Sequence, residues 1–389
     1  MTQKVHVKRS RRLHSGHLWV FSNEISESVR DYEPGSIVEV LDMREHFLGA
    51  GYINPNSLIA VRILTRRRRR IDREFLRARI MDAVRMRERF FRGRDAVRLV
   101  YSEADYLPGL IVDRYAGSIA VQILTLGMER MKDMLISLLD EVLNPEAIVI
   151  KNEGRSRDLE GLPRYREVVK GDAHPLPLVH ENGLLLEVDL LEGQKTGYFL
   201  DQKENRRAFS GLITGGRGLD LFCYSGSWSL AAAAAGAEVT GVDESERAVS
   251  QAERNASLNS LSGSVRFLRS DVFSFAGAEL REGEERHDFI VLDPPAFVKS
   301  GAKLKEAVKA YRELNGTCMR LLRRGGLLAT SSCSYHLGRD IFVDMLRDAS
   351  RDAGRSIRLL DLRSQDKDHP VLLSMPETEY LKCAFLLVD

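Results

Sequence analysis

Apolar and polar positions change rhythm twice along this chain. Up to residue 65 the apolar residues come in short β-like runs, SIVEVLD (36–42), HFLGAGYI (46–53) and LIAVRIL (58–64), separated by Pro34-Gly35 and Asn54-Pro55-Asn56. Short runs bounded by turn formers predict a small barrel or sandwich. Residues 72–92 carry spaced apolar positions among Arg and Glu, the texture of a helix, with Gly93 placed to stop it. Strands are then predicted at 99–105, 110–115 and 118–124, a helix at 128–142 and another strand at 147–152, which together make a small α+β domain. Around 158–177 the pattern dissolves into charges and prolines, predicting a connector.

From about residue 184 strands and helices alternate. GRGLDLFCY (216–224) predicts an apolar strand turning at Ser225-Gly226, followed by an Ala-rich helix (228–235), the strand EVTGVD (238–243), a helix at 245–259 and the strand VRFLRSD (265–271). DFIVLDPP (288–295), a helix from Lys303 to Leu322, GLLATSSCS (326–334), a helix from Asp340 to Ala353 and strands near 356–362 and 381–388 complete the series. Repeated βα units imply an α/β fold with a parallel sheet covered on both faces, whose ligands lie outside the carboxyl ends of the strands. The chain thus divides into 1–70, 71–180 and 181–389, in keeping with the two or three domains that 389 residues predict.

Composition narrows the class. Hydrophobic residues at 43% with 29% charged fit folded globular material and argue against wholesale disorder. The opening MTQKVHVKRSRRLHSGHLWVF has no apolar core of a secretory signal, and no window approaches the roughly 18 uninterrupted apolar residues of a membrane helix. Cys223, Cys318, Cys333 and Cys383 show no CxxC or Cys/His pairing, so neither a disulfide framework nor a metal site is expected, and a reducing cytoplasm is the natural setting.

The net charge of +2 hides an asymmetry. Residues 1–100 hold 22 Lys and Arg against 12 Asp and Glu, a surplus of +10, which leaves 36 against 44, or −8, for residues 101–389. A basic N-terminal quarter suggests a module that docks a polyanion. Its sharpest feature is Arg66, Arg67, Arg68, Arg69 and Arg70 in succession, with Lys8, Arg9, Arg11 and Arg12 as a second cluster. An isolated run of this kind reads as a solvated linker; two clusters favour nucleic acid.

Acidic residues mark the strand ends of the alternating region. Asp220 lies in the first strand, Asp243 ends the second, Asp271 the third, and Asp293-Pro294-Pro295 the fourth. An acid closing the second strand can accept from both ribose hydroxyls, and one closing the third can accept from an adenine amine. The loop DLFCYSG lacks GxGxxG, which disfavours a pyrophosphate ligand such as NAD and suits S-adenosylmethionine (SAM). Singly, each aspartate reads as a helix cap or turn residue; four in order point to a site.

These stretches resemble a known family. LDLFCYSGSWSLAAAAAGA (219–237), VDESERAVSQAERNASLN (242–259), LDPPAFVKS (292–300), TSSCS (330–334) and the lead-in GQKTGYFLDQKENR (193–206) are similar to class I SAM-dependent methyltransferases, and within them to the large-subunit ribosomal RNA cytosine-5 methyltransferases with an N-terminal PUA domain. The resemblance implies a C-terminal Rossmann-like methyltransferase domain, an N-terminal PUA-like barrel and a central small α+β domain. It implies SAM as cofactor, with Asp220, Ser225 and Gly226 against the methionine moiety, Asp243 on the ribose, Asp271 on the adenine amine, and Phe222 and Asp293 also among the cofactor-binding residues. Asp293, Pro294 and Pro295 would face the target base. The lead-in Gln194–Arg206 would cover the pocket, with Tyr198 and Phe199 either as ligand contacts or as hairpin core. The implied partners are large-subunit ribosomal RNA, contacted by the Arg66–Arg70 run, and a second copy of the chain as a homodimer.

Cytosine carbon 5 becomes nucleophilic only when a thiolate adds to carbon 6, and the resemblance places that nucleophile at Cys333 in TSSCS, with Asp293 hydrogen-bonding the ring at N3. Thiolate formation would benefit from a cation or a helix N-terminus, for which the helix near Asp340 is a candidate. Many such enzymes carry a second cysteine directly after the strand-four proline, where this chain has Ala296; the base that removes the carbon-5 proton is then water or an unidentified side chain. Two other readings stand beside this one: a guanine-N7 ribosomal RNA methyltransferase, which needs no thiol, and a non-catalytic PUA-type RNA-binding assembly factor.

Overall fold

The computed structural model describes residues 3–172, 174–297 and 304–389. Val298–Ser300 of LDPPAFVKS and Lys303, the predicted helix start, lie outside the described residues. The chain divides into two compact units. One comprises Met1–Val179, Val188–Leu200 and Lys367–Thr378; the other comprises His180–Glu187, Asp201–Asp366 and Glu379–Asp389.

The first unit holds two five-stranded sheets. In one the order is Gln3–Val7, Ile37–Asp42, Phe47–Ile53, Val61–Thr65 and Trp19–Val20. In the other it is Tyr165–Lys170, Ala147–Asn152, Ser118–Ile123, Leu110–Tyr115 and Ala96–Tyr101. The strand Tyr165–Lys170 falls where the sequence predicts a connector. It pairs antiparallel with Ala147–Asn152 although its own side chains are mostly half-exposed, so an edge position supplies pairing without an apolar pattern. The predicted helix is Arg73–Phe90, capped by Asp72, which accepts from the Phe75 N–H at 3.0 Å. Tyr52 and Leu64 of the first sheet share one apolar cluster with Phe75, Leu76 and Ile80 of that helix and Val97, Leu99 and Val112 of the second sheet.

The second unit is a seven-stranded sheet of β1 (Arg217–Leu221), β2 (Glu238–Asp243), β3 (Val265–Arg269), β4 (His287–Leu292), β5 (Leu322–Ser332), β6 (Ile357–Arg363) and β7 (Lys382–Val388), in the order β3-β2-β1-β4-β5-β7-β6. All pairings are parallel except those of β7, which runs antiparallel to both β5 and β6. Helices α1 (Ser227–Ala234), α2 (Glu246–Leu258), α3 (Val272–Glu282), α4 (Leu304–Leu321) and α5 (Arg339–Ala353) connect them. β4 shows why its apolar run reads as fully buried. Ile290 and Leu292 pack with Tyr311, Leu314 and Phe342 of α4 and α5, while Phe289 and Val291 pack on the opposite face with Phe209 and Trp228. The strand order reverses between β1 and β4, the switch point where such sheets open a crevice for ligands.

Candidate active site

The predicted site residues Asp220, Phe222, Ser225, Gly226, Asp243, Asp293 and Cys333 all belong to the second unit, at the carboxyl ends of β1, β2, β4 and β5. β1 stops at Leu221, three residues before the apolar run GRGLDLFCY ends. The physical reason is backbone geometry: Phe222, Tyr224 and Gly226 have φ of 66°, 47° and 81°, which no strand tolerates. The amides of Phe222 and Cys223 both donate to the Val242 carbonyl, and the Tyr224 amide donates to Asp243 at 3.0 Å, so the loop is curled onto the end of β2. At Gly226 a Cβ would lie 2.8 Å from the Phe267 ring and 3.0 Å from Ala252, which leaves room for glycine alone.

Asp220 is completely buried. One carboxylate oxygen accepts from the Ser229 amide at 3.0 Å and the Ser229 hydroxyl at 2.6 Å; the other, like the nearby Ser225 hydroxyl, is buried with no hydrogen-bond partner among the described residues. Burial, aided by the charges of Asp293 and Asp243 and opposed by Ser229, pushes its pKa from 3.8 to about 7. Three carboxylates within electrostatic reach, with orphaned acceptors beside them, suit a cationic ligand that also carries hydrogen-bond donors, and the sulfonium and ammonium of SAM fit that description.

Asp243 accepts from the Ser245 amide at 2.9 Å as well as from Tyr224, so two backbone bonds orient its carboxylate and leave lone pairs for a diol. Asp271 lies two residues beyond β3 and caps α3, accepting from the Ser274 amide at 2.8 Å; the Ser274 side chain and then its amide lower the Asp271 pKa. Phe297 gathers an aromatic cluster, its ring centroid lying 6.2 Å from that of Phe222, 5.9 Å from Phe273 and 4.6 Å from Tyr311.

Asp293 follows β4 directly, and the side chains that hold it are not legible in the linear motifs. Gln202 donates to one oxygen at 2.9 Å and to Ser331 at 3.0 Å; Trp228 donates to the other oxygen at 3.1 Å. Gln202 is itself oriented by Asn205 at 2.7 Å, which accepts from Arg363 at 2.9 Å. Tyr311 bridges the loops after β4 and β5: its hydroxyl donates to the Pro295 carbonyl at 3.4 Å and accepts from Ser332 at 3.1 Å. Only the order of the fold brings these residues together, and the one sequence signal for Gln202 is its place in the lead-in.

Among the four thiols, Cys223, Cys318 and Cys383 are buried, and Cys333 is partly exposed just beyond β5. Burial pushes the pKa of Cys318 and Cys383 up to about 12 and that of Cys223 well above its usual value.

The lead-in divides. Gln194–Leu200 belongs to the first unit and Asp201–Arg206 to the second. Tyr198 is buried, its carbonyl accepting from the Tyr115 hydroxyl at 3.5 Å, and Phe199 lies under the Lys195 ammonium.

The arginine run also lies in the first unit, after the strand Val61–Thr65, and it is not uniform. Arg68 pairs with Glu39 at 3.2 Å and covers Phe47. Arg66, Arg67 and Arg69 line a cavity of about 420 Å³ with Arg79 and Tyr106, where Arg79 stacks over Tyr106 at 5.0 Å; Asp82 is its acidic lining residue. Arg66 is anchored by donating to the His17 carbonyl at 2.9 Å.

Comparisons with known proteins agree with this geometry. A family described as PUA-like domain matches residues 4–66, and one described as S-adenosylmethionine-dependent methyltransferase matches residues 164–370. The chain is 37% identical over 380 residues, 96% of each protein, to the ribosomal RNA large subunit methyltransferase I of Shewanella amazonensis. A Streptococcus mutans structure described as a SAM-dependent methyltransferase superposes with a TM-score of 0.85 at 21% identity, covering 99% of this chain and 100% of that one. A methyltransferase structure complexed with SAH gives the same TM-score at 20% identity over the whole of both chains. With an anionic, partly unsatisfied cup at the switch point of its sheet and a relative of this identity along its full length, the chain belongs to the S-adenosylmethionine-dependent methyltransferases that carry an N-terminal PUA-like domain.

Proposed function

We propose that this protein methylates carbon 5 of a cytosine in large-subunit ribosomal RNA through a covalent bond to Cys333. RNA as substrate is supported by the Shewanella relative named above and by the basic cavity of Arg66, Arg67, Arg69 and Arg79. Its Tyr106 can stack on an unpaired base. The three domains 1–70, 71–180 and 181–389 then act as RNA-docking barrel, connecting α+β domain and catalytic domain. Asp220, Ser225 and the loop closed by Gly226 hold the methionine end of SAM, Asp243 the ribose, Asp271 the adenine amine, and Phe222 the apolar wall. Pro294 and Pro295 face the base.

SAM supplies an electrophilic methyl group beside the target base. Deprotonated Cys333 attacks carbon 6 of cytosine and the electron pair moves to carbon 5, while Asp293, held by Gln202 and Trp228, shares a proton with N3 and neutralises the charge that develops there. Carbon 5 takes the methyl group; loss of its proton then expels the Cys333 thiolate. Ala296 stands where a second thiol would assist that loss, so another base removes the proton.

One observation carries this reading: Cys333 alone among the four thiols is partly accessible, one residue beyond β5, whose neighbour β4 ends at Asp293. RNA bearing 5-fluorocytidine at the target cannot lose its carbon-5 substituent as a proton, so a gel-stable complex should form with the wild type and vanish with Cys333→Ala. Cys223→Ala and Cys318→Ala should still trap. Turnover on ordinary RNA without trapping would favour methylation of guanine N7.

A further inference from the structure

A thiol of ordinary pKa, near 8.5, is mostly protonated at neutral pH and needs a cation to act as a nucleophile. Resting on the proposed role of Cys333, we infer that Lys382 is the cation that holds Cys333 as a thiolate, both before attack and as the leaving group.

The placement is built into the sheet. Lys382 opens β7 and pairs in register with Ser332, the residue before Cys333. Its ammonium donates to the Ser334 carbonyl, the residue after Cys333, at 2.7 Å and to the Tyr380 carbonyl at 2.8 Å. The charge is thus pinned to the backbone of the residue after the cysteine and to that of the segment leading into β7. Both acceptors are neutral, one N–H remains, and among the described residues no carboxylate lies within ion-pair distance of the nitrogen. The side chain is nearly buried, 7% exposed. A buried lysine with no carboxylate in ion-pair contact is costly unless an anion forms beside it.

Lys382 responds to Cys333 and Glu379, both of which raise its pKa, while burial, the largest influence, draws it down to about 8. Burial, opposed by Ser332 and Ser334 and aided by Cys333, raises the pKa of Tyr311 and keeps it neutral at physiological pH. Since Cys333 raises the pKa of Lys382, Lys382 must lower that of Cys333. At pH 7 the ammonium stays protonated, and the thiol proton leaves to solvent.

The test is the pH dependence of Cys333 alkylation by iodoacetamide in the full-length protein without RNA, read by peptide mass spectrometry. Lys382→Met keeps the length of the side chain and removes its charge; it should raise the alkylation midpoint and slow the reaction at pH 7 by at least about tenfold. At pH 10, where the thiol ionises unaided, both proteins should react alike. Lys382→Arg should restore the low midpoint if it folds, which circular dichroism checks. An unchanged midpoint in Lys382→Met overturns the inference, and so does a rate lowered equally at every pH, which marks a structural role. Because alkylation needs no substrate, a shifted midpoint with failed 5-fluorocytidine trapping upholds Lys382 while the cytosine reading falls; trapping with an unchanged midpoint does the reverse.

Discussion

Asp220→Asn should make the methyltransferase unit more stable at pH 8 and less stable at pH 4, while weakening SAM at pH 8. The folded-state pKa of Asp220, about 7, lies above the ordinary 3.8, so between those values the native state binds a proton that the unfolded chain has lost. Stability therefore falls as pH rises through that window, by about 1.4 kcal/mol per pH unit and about 4 kcal/mol in all, and levels off above it. Asparagine escapes this cost. Its amide oxygen can replace the carboxylate oxygen that accepts from Ser229, but its NH2 then occupies the place of the orphaned oxygen, and two unpaired donors cost about 1–3 kcal/mol. The two stability curves should cross near pH 5, with the variant ahead by about 1–3 kcal/mol at pH 8. The assay is urea unfolding from pH 4 to 8 by the fluorescence of Trp228, in a Trp19→Phe background so that the first unit is silent. Calorimetry completes it: wild-type affinity for SAM should rise from pH 6 to 8 as Asp220 ionises, and that of the variant should stay flat. Parallel stability curves would show that Asp220 is not a native-state acid in this range and would refute the reasoning.

Asp243→Ala removes a charged acceptor proposed for the ribose and should weaken SAM about ten- to a hundredfold, measured by calorimetry; unchanged affinity in a folded variant would take Asp243 out of the site. Replacing Arg66, Arg67 and Arg69 by Gln should weaken RNA binding and reduce the slope of log affinity against log salt by about 2, whereas Arg68→Gln, whose charge is already met by Glu39, should change it little. Gln202→Ala leaves Asp293 with one fewer orienting donor and should lower kcat on RNA with little change in SAM affinity, as separate titrations would show. Gly226→Ala should depress both SAM binding and the thermal midpoint, because its Cβ collides with Phe267 at a positive φ.

Much of the fold is legible in the sequence because its main pattern is local. β2 is EVTGVD as the pattern has it, and the apolar run of β4 matches a strand buried on both faces. Ser245 caps α2, accepting from Ala248, and Asp271, read from the sequence as a site residue, also caps α3, accepting from Ser274. The order of acidic strand ends is also linear information, so Asp220, Asp243, Asp271 and Asp293 can be read as a set from the chain alone.

Other features depend on neighbours distant in the chain. Tyr165–Lys170 becomes a strand because an edge was open to it, and β1 stops at Leu221 because the loop must curl onto Val242 and Asp243. The lead-in reads as one motif, yet its first half packs with one unit and its second half with the other. Nothing in TSSCS reveals that Lys382, forty-nine positions beyond Cys333, will be pinned to the next residue's carbonyl by antiparallel pairing, or that Gln202 and Trp228 will share the two oxygens of Asp293. Periodicity records which face of an element is buried, a property of each segment alone. Which polar group meets which is decided by strand order and register, and those exist only once the sheet has closed around its core.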